Sequence, residues 1–426
     1  MIQRDYYLRQ LKLLKNQKVI KVITGIRRSG KSTLLSLFRE ELKRQGVKNV
    51  QIQSFNFEEE QNVELRDWQK LHQKIEAKLV PDQMNYIFLD EIQKVEHFEE
   101  AVDSLFVKEN VDIYITGSNA FLLSGELATY LTGRYISIHV LPYSFKEYRE
   151  AFPEEENEYR LFIKYLNGSA FPEVVNLMRV DETLAQNYLR DLYDTIVNKD
   201  IAARYDIRNR DEFERMMRFL CSNVGSPTSA RNIAAVLASA DGHGGDDDNG
   251  GNDGGASTHQ TVARYLSYLT ESYLIYPVSR YDIKGKKLLT TNDKYYMVDL
   301  GLREMLITTS AEVDVGHRLE NVVYLELLRR NEGKIMVGKA DEQEVDFVVQ
   351  KPDGTREYYQ VAFHASEQTT LAREIAPLRK IRDNYRKYLL TMDLMNQDYE
   401  GIQQLNVVDW LLAKRNCFTG VEGGIL

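Results

Sequence analysis

The sequence predicts an α/β fold: a parallel sheet flanked by helices near the N-terminus, then a helical unit, then further mixed α/β structure. Three observations predict it. Residues 18–24 form a β-branched, mostly apolar run that leads into a glycine-containing turn and then a helical stretch. Tyr86-Ile87-Phe88-Leu89 is a short apolar run of the kind a strand covered on both faces requires. Around them strand-like and helix-like segments alternate, which is the order of βαβ units with helices on both faces of a sheet.

Residues 1–16 read as an amphipathic helix and 18–24 as the first strand. A helix follows from Lys31 to about Gln45, a strand over 49–56 and a helix over 66–80. After the apolar strand at 86–89 come a helix over 96–108 and strands over 111–116 and 135–140. Residues 145–220 turn helical. Small helices over 226–275 are broken by 241–256, whose seven glycines and five aspartates predict a flexible exposed loop. Those aspartates lack the spacing and terminal Glu of a calcium loop. Strands return at 276–278, 287–289 and 295–298, then a helix at 318–330 and strands at 334–337, 345–350 and 357–363. A helix over 371–385 and late strands at 389–391 and 405–408 complete the pattern. Four units result: 1–145, 146–220, 221–300 and 301–426.

The 426 residues suffice for several buried cores, and 43% hydrophobic with 28% charged residues is ordinary for folded protein. The net charge of −9 argues against a chain coated by nucleic acid over its whole surface, while allowing a local basic patch. Cys221 and Cys417 stand far apart, with neither a disulfide framework nor zinc spacing, as expected of a reducing compartment. No apolar signal core and no run of 18 apolar residues occurs, so a cytoplasmic protein without membrane contact is expected.

Gly25-Ile26-Arg27-Arg28-Ser29-Gly30-Lys31-Ser32 fits G-x-x-x-x-G-K-[ST] without a mismatch, between a strand and a helix, with Thr33 next in line. Glycines let the backbone wrap phosphates, and a helix N-terminus adds a favourable dipole. Lys31 would contact the β- and γ-phosphates of ATP, and Ser32 would ligate Mg²⁺. The apolar strand at 86–89 ends in Asp90 and Glu91, a carboxylate to hold Mg²⁺ through water and a general base to polarise the attacking water. A third strand end, Ile115-Thr116-Gly117-Ser118-Asn119, offers Asn119, or Ser118, to orient that water; turn chemistry is the alternative there.

In this order the three elements resemble the AAA+ ATPases: Walker A, a Walker B ending in Asp-Glu, and a polar sensor. In that superfamily an arginine placed near Arg134 can reach the γ-phosphate of a neighbouring subunit, which would imply a homo-oligomer; a surface arginine in a turn is the equal alternative. The wider chain resembles a bacterial and archaeal family of AAA-like ATPases with a C-terminal domain of unknown function. The matching stretches are 25–33, 88–93, 116–119, 141–145, 170–173, 191–206 and 280–302. The resemblance implies architecture more than purpose.

Residues 226–298 resemble a winged helix, with 258–270 as its recognition helix, carrying His259, Gln260 and Arg264. Lys284, Lys286, Lys287 and Lys294 would form a basic wing able to contact DNA phosphates; docking on protein is the alternative. Glu320 on a helix, Asp346 on a strand and Gln360 on the next resemble the PD-(D/E)xK nuclease layout, in which carboxylates around Mg²⁺ activate water. The lysine expected two residues after Gln360 is Ala362, so another basic residue substitutes or the fold is inactive. The full expectation is a P-loop ATPase domain with a helical lid, a winged helix and a small α/β nuclease-like domain. Three functions stay open: an ATP-driven switch or machine acting on DNA, an ATP-dependent regulator of a protein partner, and an ATP-gated nuclease.

Overall fold

In the computed structural model, residues 2–118, 131, 133–205, 207, 209–240, 258–289, 292–307, 314–330 and 332–414 are described. The loop expected at 241–256, Asn119 and Cys417 lie outside them.

Near the N-terminus, α1 (Asp5–Leu14), β1 (Ile20–Thr24), α2 (Lys31–Arg44), β2 (Ile52–Asn56), α3 (Trp68–Glu76), β3 (Asn85–Asp90), α4 (Phe98–Phe106), β4 (Val111–Gly117) and β5 (Tyr135–His139) follow in order. The five strands run parallel in the order β2-β3-β4-β1-β5. Every residue of β1, β3 and β4 is buried, which is why these strands read as apolar runs and do not alternate. Leu71 and Ile75 of α3 and Val102 and Leu105 of α4 cover one face, against Val22, Ile87 and Ile115. Leu8 and Leu11 of α1 and Leu34 and Phe38 of α2 cover the other, against Ile23, Phe88 and Tyr114. The Phe88 and Tyr114 rings stack 4.8 Å apart. A buried ion pair interrupts this core: Lys21 pairs with Asp112, which also accepts from the Tyr114 hydroxyl at 2.8 Å.

The helical unit comprises α5 (Phe145–Ala151), α6 (Glu158–Asn167), α7 (Pro172–Met178) and α8 (Glu182–Thr195). Ser144 and Glu147 form a reciprocal capping box at the start of α5. Pro172 opens α7 at a position whose N–H would be unbonded in any case. Beyond α8 the helix widens into a π-helix over Ile196–Ala202, a form that recurs at functional sites.

Next come α9 (Arg210–Ser222), α10 (Ala230–Ala240), α11 (His259–Glu271), β6 (Ile275–Val278), β7 (Arg280–Asp282), β8 (Lys287–Leu288) and β9 (Lys294–Met297). β6 and β9 pair antiparallel as a sheet of their own. β7 and β8 do not join them. β7 runs parallel to β10 (Lys334–Ala340), so the β7–β8 hairpin extends the C-terminal sheet. The basic hairpin read as a wing is therefore an edge of the last unit.

That unit adds α12 (Leu300–Leu306) and α13 (Val315–Arg330), then β11 (Gln343–Gln350), β12 (Arg356–Val361), α14 (Gln368–Arg379), β13 (Arg386–Thr391), β14 (Gln397–Tyr399), β15 (Ile402–Asn406) and α15 (Val407–Leu411). Its eight-stranded mixed sheet has the order β14-β15-β13-β12-β11-β10-β7-β8. The strand expected over 405–408 stops at Asn406, because the Asn406 side chain accepts from the Asp409 N–H at 3.1 Å and starts α15. No helix among the described residues is long and apolar enough to cross a membrane.

Asp299 joins these units. It caps α12 by accepting from the Leu302 N–H at 3.0 Å and takes the Ala170 N–H at 2.7 Å, and burial pushes its carboxyl up to about 6. Beside it a Cβ on Gly301 would lie 2.6 Å from the Ser169 backbone nitrogen. Gly301→Ala should therefore cost about 1–3 kcal/mol through overpacking, read as a lowered urea midpoint; an unchanged midpoint would contradict this close approach.

Candidate functional site

The loop after β1 is shaped by two glycines. Gly25 has φ +140, and a Cβ there would stand 2.1 Å from the Val140 carbonyl oxygen, so no side chain fits between β1 and the exit of β5. Gly30 has φ +97 and serves as N-cap of α2. Lys31 follows, 4% exposed, and its ammonium donates to the Gly25 and Ile26 carbonyls at 2.9 and 3.0 Å. Burial lowers its pKa, opposed by the charges of Glu91 and Asp90.

The carboxylates arrive from β3. Asp90 accepts from the Thr116 hydroxyl at 2.5 Å and from Ser32, and burial raises its pKa. The same Thr116 oxygen accepts from the Glu91 N–H at 2.9 Å, so one hydroxyl at the end of β4 fixes both residues. Glu91 has φ 57, and its carboxylate accepts from the Ser118 hydroxyl at 2.6 Å. Lys31, Ser32, Glu91 and Ser118 border a cavity of about 420 Å³ that Glu173 and Tyr188 of the helical unit help to line.

Lys31, Ser32, Asp90 and Glu91 thus converge as the sequence suggests. Ile26 instead packs into the apolar core, and Ser29 is buried with its carbonyl bonded to Arg4. Arg28 adopts φ 65 at the cavity wall, while Ser32 and the following Thr33 are exposed. Arg27 forms ion pairs with Glu58 at 3.2 Å and with Asp200 at 3.5 Å. Asp200 sits on the π-helix; burial raises its pKa, and the charges of Arg27 and Lys31 lower it. Sequence reading missed Thr116 as a ligand of both acids, and missed Asp200 altogether. Asn119 lies outside the described residues, and Ser118 holds the place beside Glu91.

Arg134 is elsewhere. It precedes β5, at the opposite end of the parallel strands from the loop, and pairs with Asp103 of α4. It does not reach the phosphate loop of its own chain.

Arg264 is exposed on α11, and Lys284, Lys286 and Lys287 are exposed around the β7–β8 turn. Lys294 is not on an exposed wing. It is 2% exposed and pairs with Glu320 at 2.9 Å and Glu344 at 2.6 Å. Burial alone would lower its pKa, but the surrounding carboxylates hold it above the ordinary value. Glu320 also accepts from the Tyr296 hydroxyl at 2.6 Å. Phe347 opposes Tyr359 in the β11–β12 ladder, which sets Asp346 opposite Gln360. Asp346 accepts from the Val361 N–H at 2.8 Å, and its pKa is raised by burial and then by Glu320. Gln360 donates to Glu374 at 3.2 Å, and Ala362 packs in an apolar cluster.

The residues over 17–149 match the family model of an AAA domain, and those over 159–313 match a domain of unknown function (DUF8612). An uncharacterized protein of Haemophilus influenzae is 39% identical over 417 residues, covering 97% of this chain and 99% of the relative. The chain belongs to that family of AAA-domain proteins. A second family relative, an uncharacterized protein of Methanocaldococcus jannaschii, is 27% identical over 423 residues, 96% of this chain and 88% of its own. Among solved structures, Orc1 of Aeropyrum pernix in complex with DNA is similar at TM-score 0.32 and 14% identity, over 72% of this chain and 92% of that one. AMPPCP-bound DnaA of Aquifex aeolicus is similar at TM-score 0.30 and 14% identity, over 63% and 88%. The five-stranded parallel sheet lies within the residues that match the AAA domain.

His139, paired with Thr24 next to the loop, connects this site to the rest of the family fold. Its Nε2 lies 2.8 Å from the Tyr276 hydroxyl of β6, and its ring packs on Tyr273. Burial, and then the charges of Lys31 and Arg329, push its pKa down to about 4. The unfolded chain, with an ordinary histidine near 6.5, binds the proton first as pH falls. Stability is therefore full above about pH 6.5 and lost toward pH 4, by about 1–3 kcal/mol. Urea titrations should show that loss in the wild type and its absence in His139→Gln; equal pH dependence in both would contradict the assignment.

Proposed function

We propose that the chain binds ATP with Mg²⁺ at this site, hydrolyses it, and uses turnover as a switch acting on DNA. The observation that carries the reading is the convergence of Lys31, Ser32 and Glu91 on one cavity, with Asp90 bonded to Ser32 and with Thr116 and Ser118 bonded to the two acids.

Lys31 is placed to exchange its loop carbonyls for phosphate oxygens, and the N–H groups at the start of α2 add to that field. The residues present fit Mg²⁺, a cation of oxygen ligands. The Ser32 hydroxyl and the Asp90 carboxylate are hydrogen-bonded together, and burial makes the Asp90 charge costly without a counter-ion. Bound there, Mg²⁺ would neutralise charge on the phosphates. Glu91 is the general base, and Ser118 fixes the direction of its carboxylate. Asp200 gives the helical unit a direct hold on the loop through Arg27, so phosphate entering beside Lys31 and Arg27 disturbs that pair. This is a route from nucleotide state to domain movement.

The units beyond are read as a winged helix, formed by α9, α10, α11 and the β6/β9 pair, and an inactive nuclease-like domain. Support for inactivity comes from Lys294, neutralised between Glu320 and Glu344, and from Ala362 in an apolar cluster. In a homo-oligomer Arg134 could serve a neighbour's nucleotide, which a solution mass above one chain would support.

Lys31→Ala should abolish ATP binding and turnover, and normal ATPase rates would sink the site. Glu91→Gln should keep ATP bound while kcat drops about 10²–10⁴-fold, measured by single-turnover hydrolysis; wild-type rates would remove Glu91 from the base role. Incubation with Mg²⁺, ATP and plasmid should leave the DNA intact. Cleavage lost in Asp346→Ala would instead make the last domain an active nuclease.

A further inference from the structure

The β7–β8 hairpin brings its lysines to a place that no reading of the wing foresaw. Lys284 and Lys286 of its turn line a cleft of about 1020 Å³ together with Arg356 at the start of β12 and Arg379, Lys380 and Arg382 after α14. Six cationic side chains from three separate stretches therefore face two carboxylates, in a chain of net charge −9. Both carboxylates are already engaged. Asp341 pairs with Lys284 at 3.5 Å, and Asp383 accepts from the Tyr358 hydroxyl at 2.6 Å. Arg379 pairs with Glu400 at 3.2 Å, and Arg356 lies over the Tyr281 ring at 5.3 Å. Among the described residues Lys286, Lys380 and Arg382 have no ion-pair partner, and all three are exposed.

Like charges gathered this way repel one another, and among the described residues no ion pair offsets the last three. A polyanion does so, releasing its own counterions as it binds. The cleft is larger than one phosphate requires. It also lacks the apolar anchors that carry most protein interfaces: Ile381 is buried, and Tyr385, 37% exposed, is its one exposed large hydrophobic residue among those described. The acidic group around Glu320 and Asp346 is a different place. Gln360 stands four residues along β12 from Arg356, about 13 Å at strand rise.

We propose that this cleft binds the sugar–phosphate backbone of DNA, without reading its sequence, and that the basic hairpin acts with the segment after α14 and not with α11. The inference rests on the DNA-directed reading above and supplies its contact surface. Phosphate contacts by lysine and arginine position the duplex or strand and give no base discrimination.

The test uses the full chain and fluorescent DNA of two unrelated sequences, single- and double-stranded, titrated from low to moderate salt. Three variants are compared with the wild type: the triple Lys286→Ala, Lys380→Ala, Arg382→Ala; its charge-reversed counterpart with Glu at the same positions; and Arg264→Ala. The wild type is expected to bind both sequences alike. The triple alanine variant should lose affinity on the order of tenfold or more, and its salt slope should flatten by about 0.9 for each phosphate contact removed. The Glu variant should lose more, and Arg264→Ala should bind as the wild type. Basal ATPase rate and thermal midpoint should not change in the cleft variants, since these side chains are exposed and remote from the phosphate loop. Wild-type binding that persists with an unaltered slope in the cleft variants, or that falls only in Arg264→Ala, overturns the cleft while leaving DNA as the target. Absence of DNA binding by a wild type that hydrolyses ATP overturns the cleft and the DNA reading together, and leaves the ATPase standing.

Discussion

Arg4 is 3% exposed and sits where the phosphate loop, the exit of β5 and the helical unit meet. Its guanidinium donates to the Ser29 carbonyl at 2.9 Å and to the Leu141 carbonyl at 2.6 Å, and its Nε pairs with Glu147 at 2.8 Å. The Tyr7 and Tyr143 rings enclose it at 4.8 and 5.2 Å. Losing one partner of a buried pair commonly costs about 3–5 kcal/mol, because the other charge stays behind unpaired. Here the charge left behind would be Glu147, the residue that completes the capping box of α5. The curvature of the loop and the start of the helical unit therefore depend on a residue of the N-terminal segment. The glycines permit the loop's shape, and Arg4 selects it.

What the sequence disclosed, and what it withheld, follows from distance along the chain. Gly25, Asp90 and Glu91 stand at strand ends and Gly30 and Lys31 at a helix start, where an apolar run stops and special residues follow, so their places were legible. Arg4 touches residues 25 and 137 positions away, and Asp200 reaches Arg27 from a helix with no motif of its own. Neither leaves a local pattern. Lys294 misled for a related reason: among neighbouring lysines it looked like surface, but β9 aims it at α13 and β11. The hairpin's partner was equally hidden, since three- and two-residue strands carry no periodicity that names the strand they will join.

Single polar contacts beside the cavity and beyond it also link the units of the chain. Thr24 and His139 end adjacent strands, and His139 passes the connection to Tyr276 of β6. Asp200 approaches the same loop from the π-helix, and Asp299 ties the turn before α7 to α12. These are single hydrogen bonds and ion pairs set beside one continuous apolar cluster that runs from Ile26 through the helical unit to Tyr276 and Leu302. The family relationship covers nearly the whole chain, and these bridges give that full-length arrangement a physical basis.

The path of the chain through β6, β7, β8 and β9 has a mechanical consequence. The backbone pairs within the small sheet, crosses to the large one for the hairpin, and returns to pair with β6. The two sheets are thereby sewn together by the same thread, and separating them means peeling β7 from β10. A torque applied at either would be transmitted to both. Any displacement of the β6–β9 pair therefore has to carry the β7–β8 hairpin, and the basic cleft it lines, along with it.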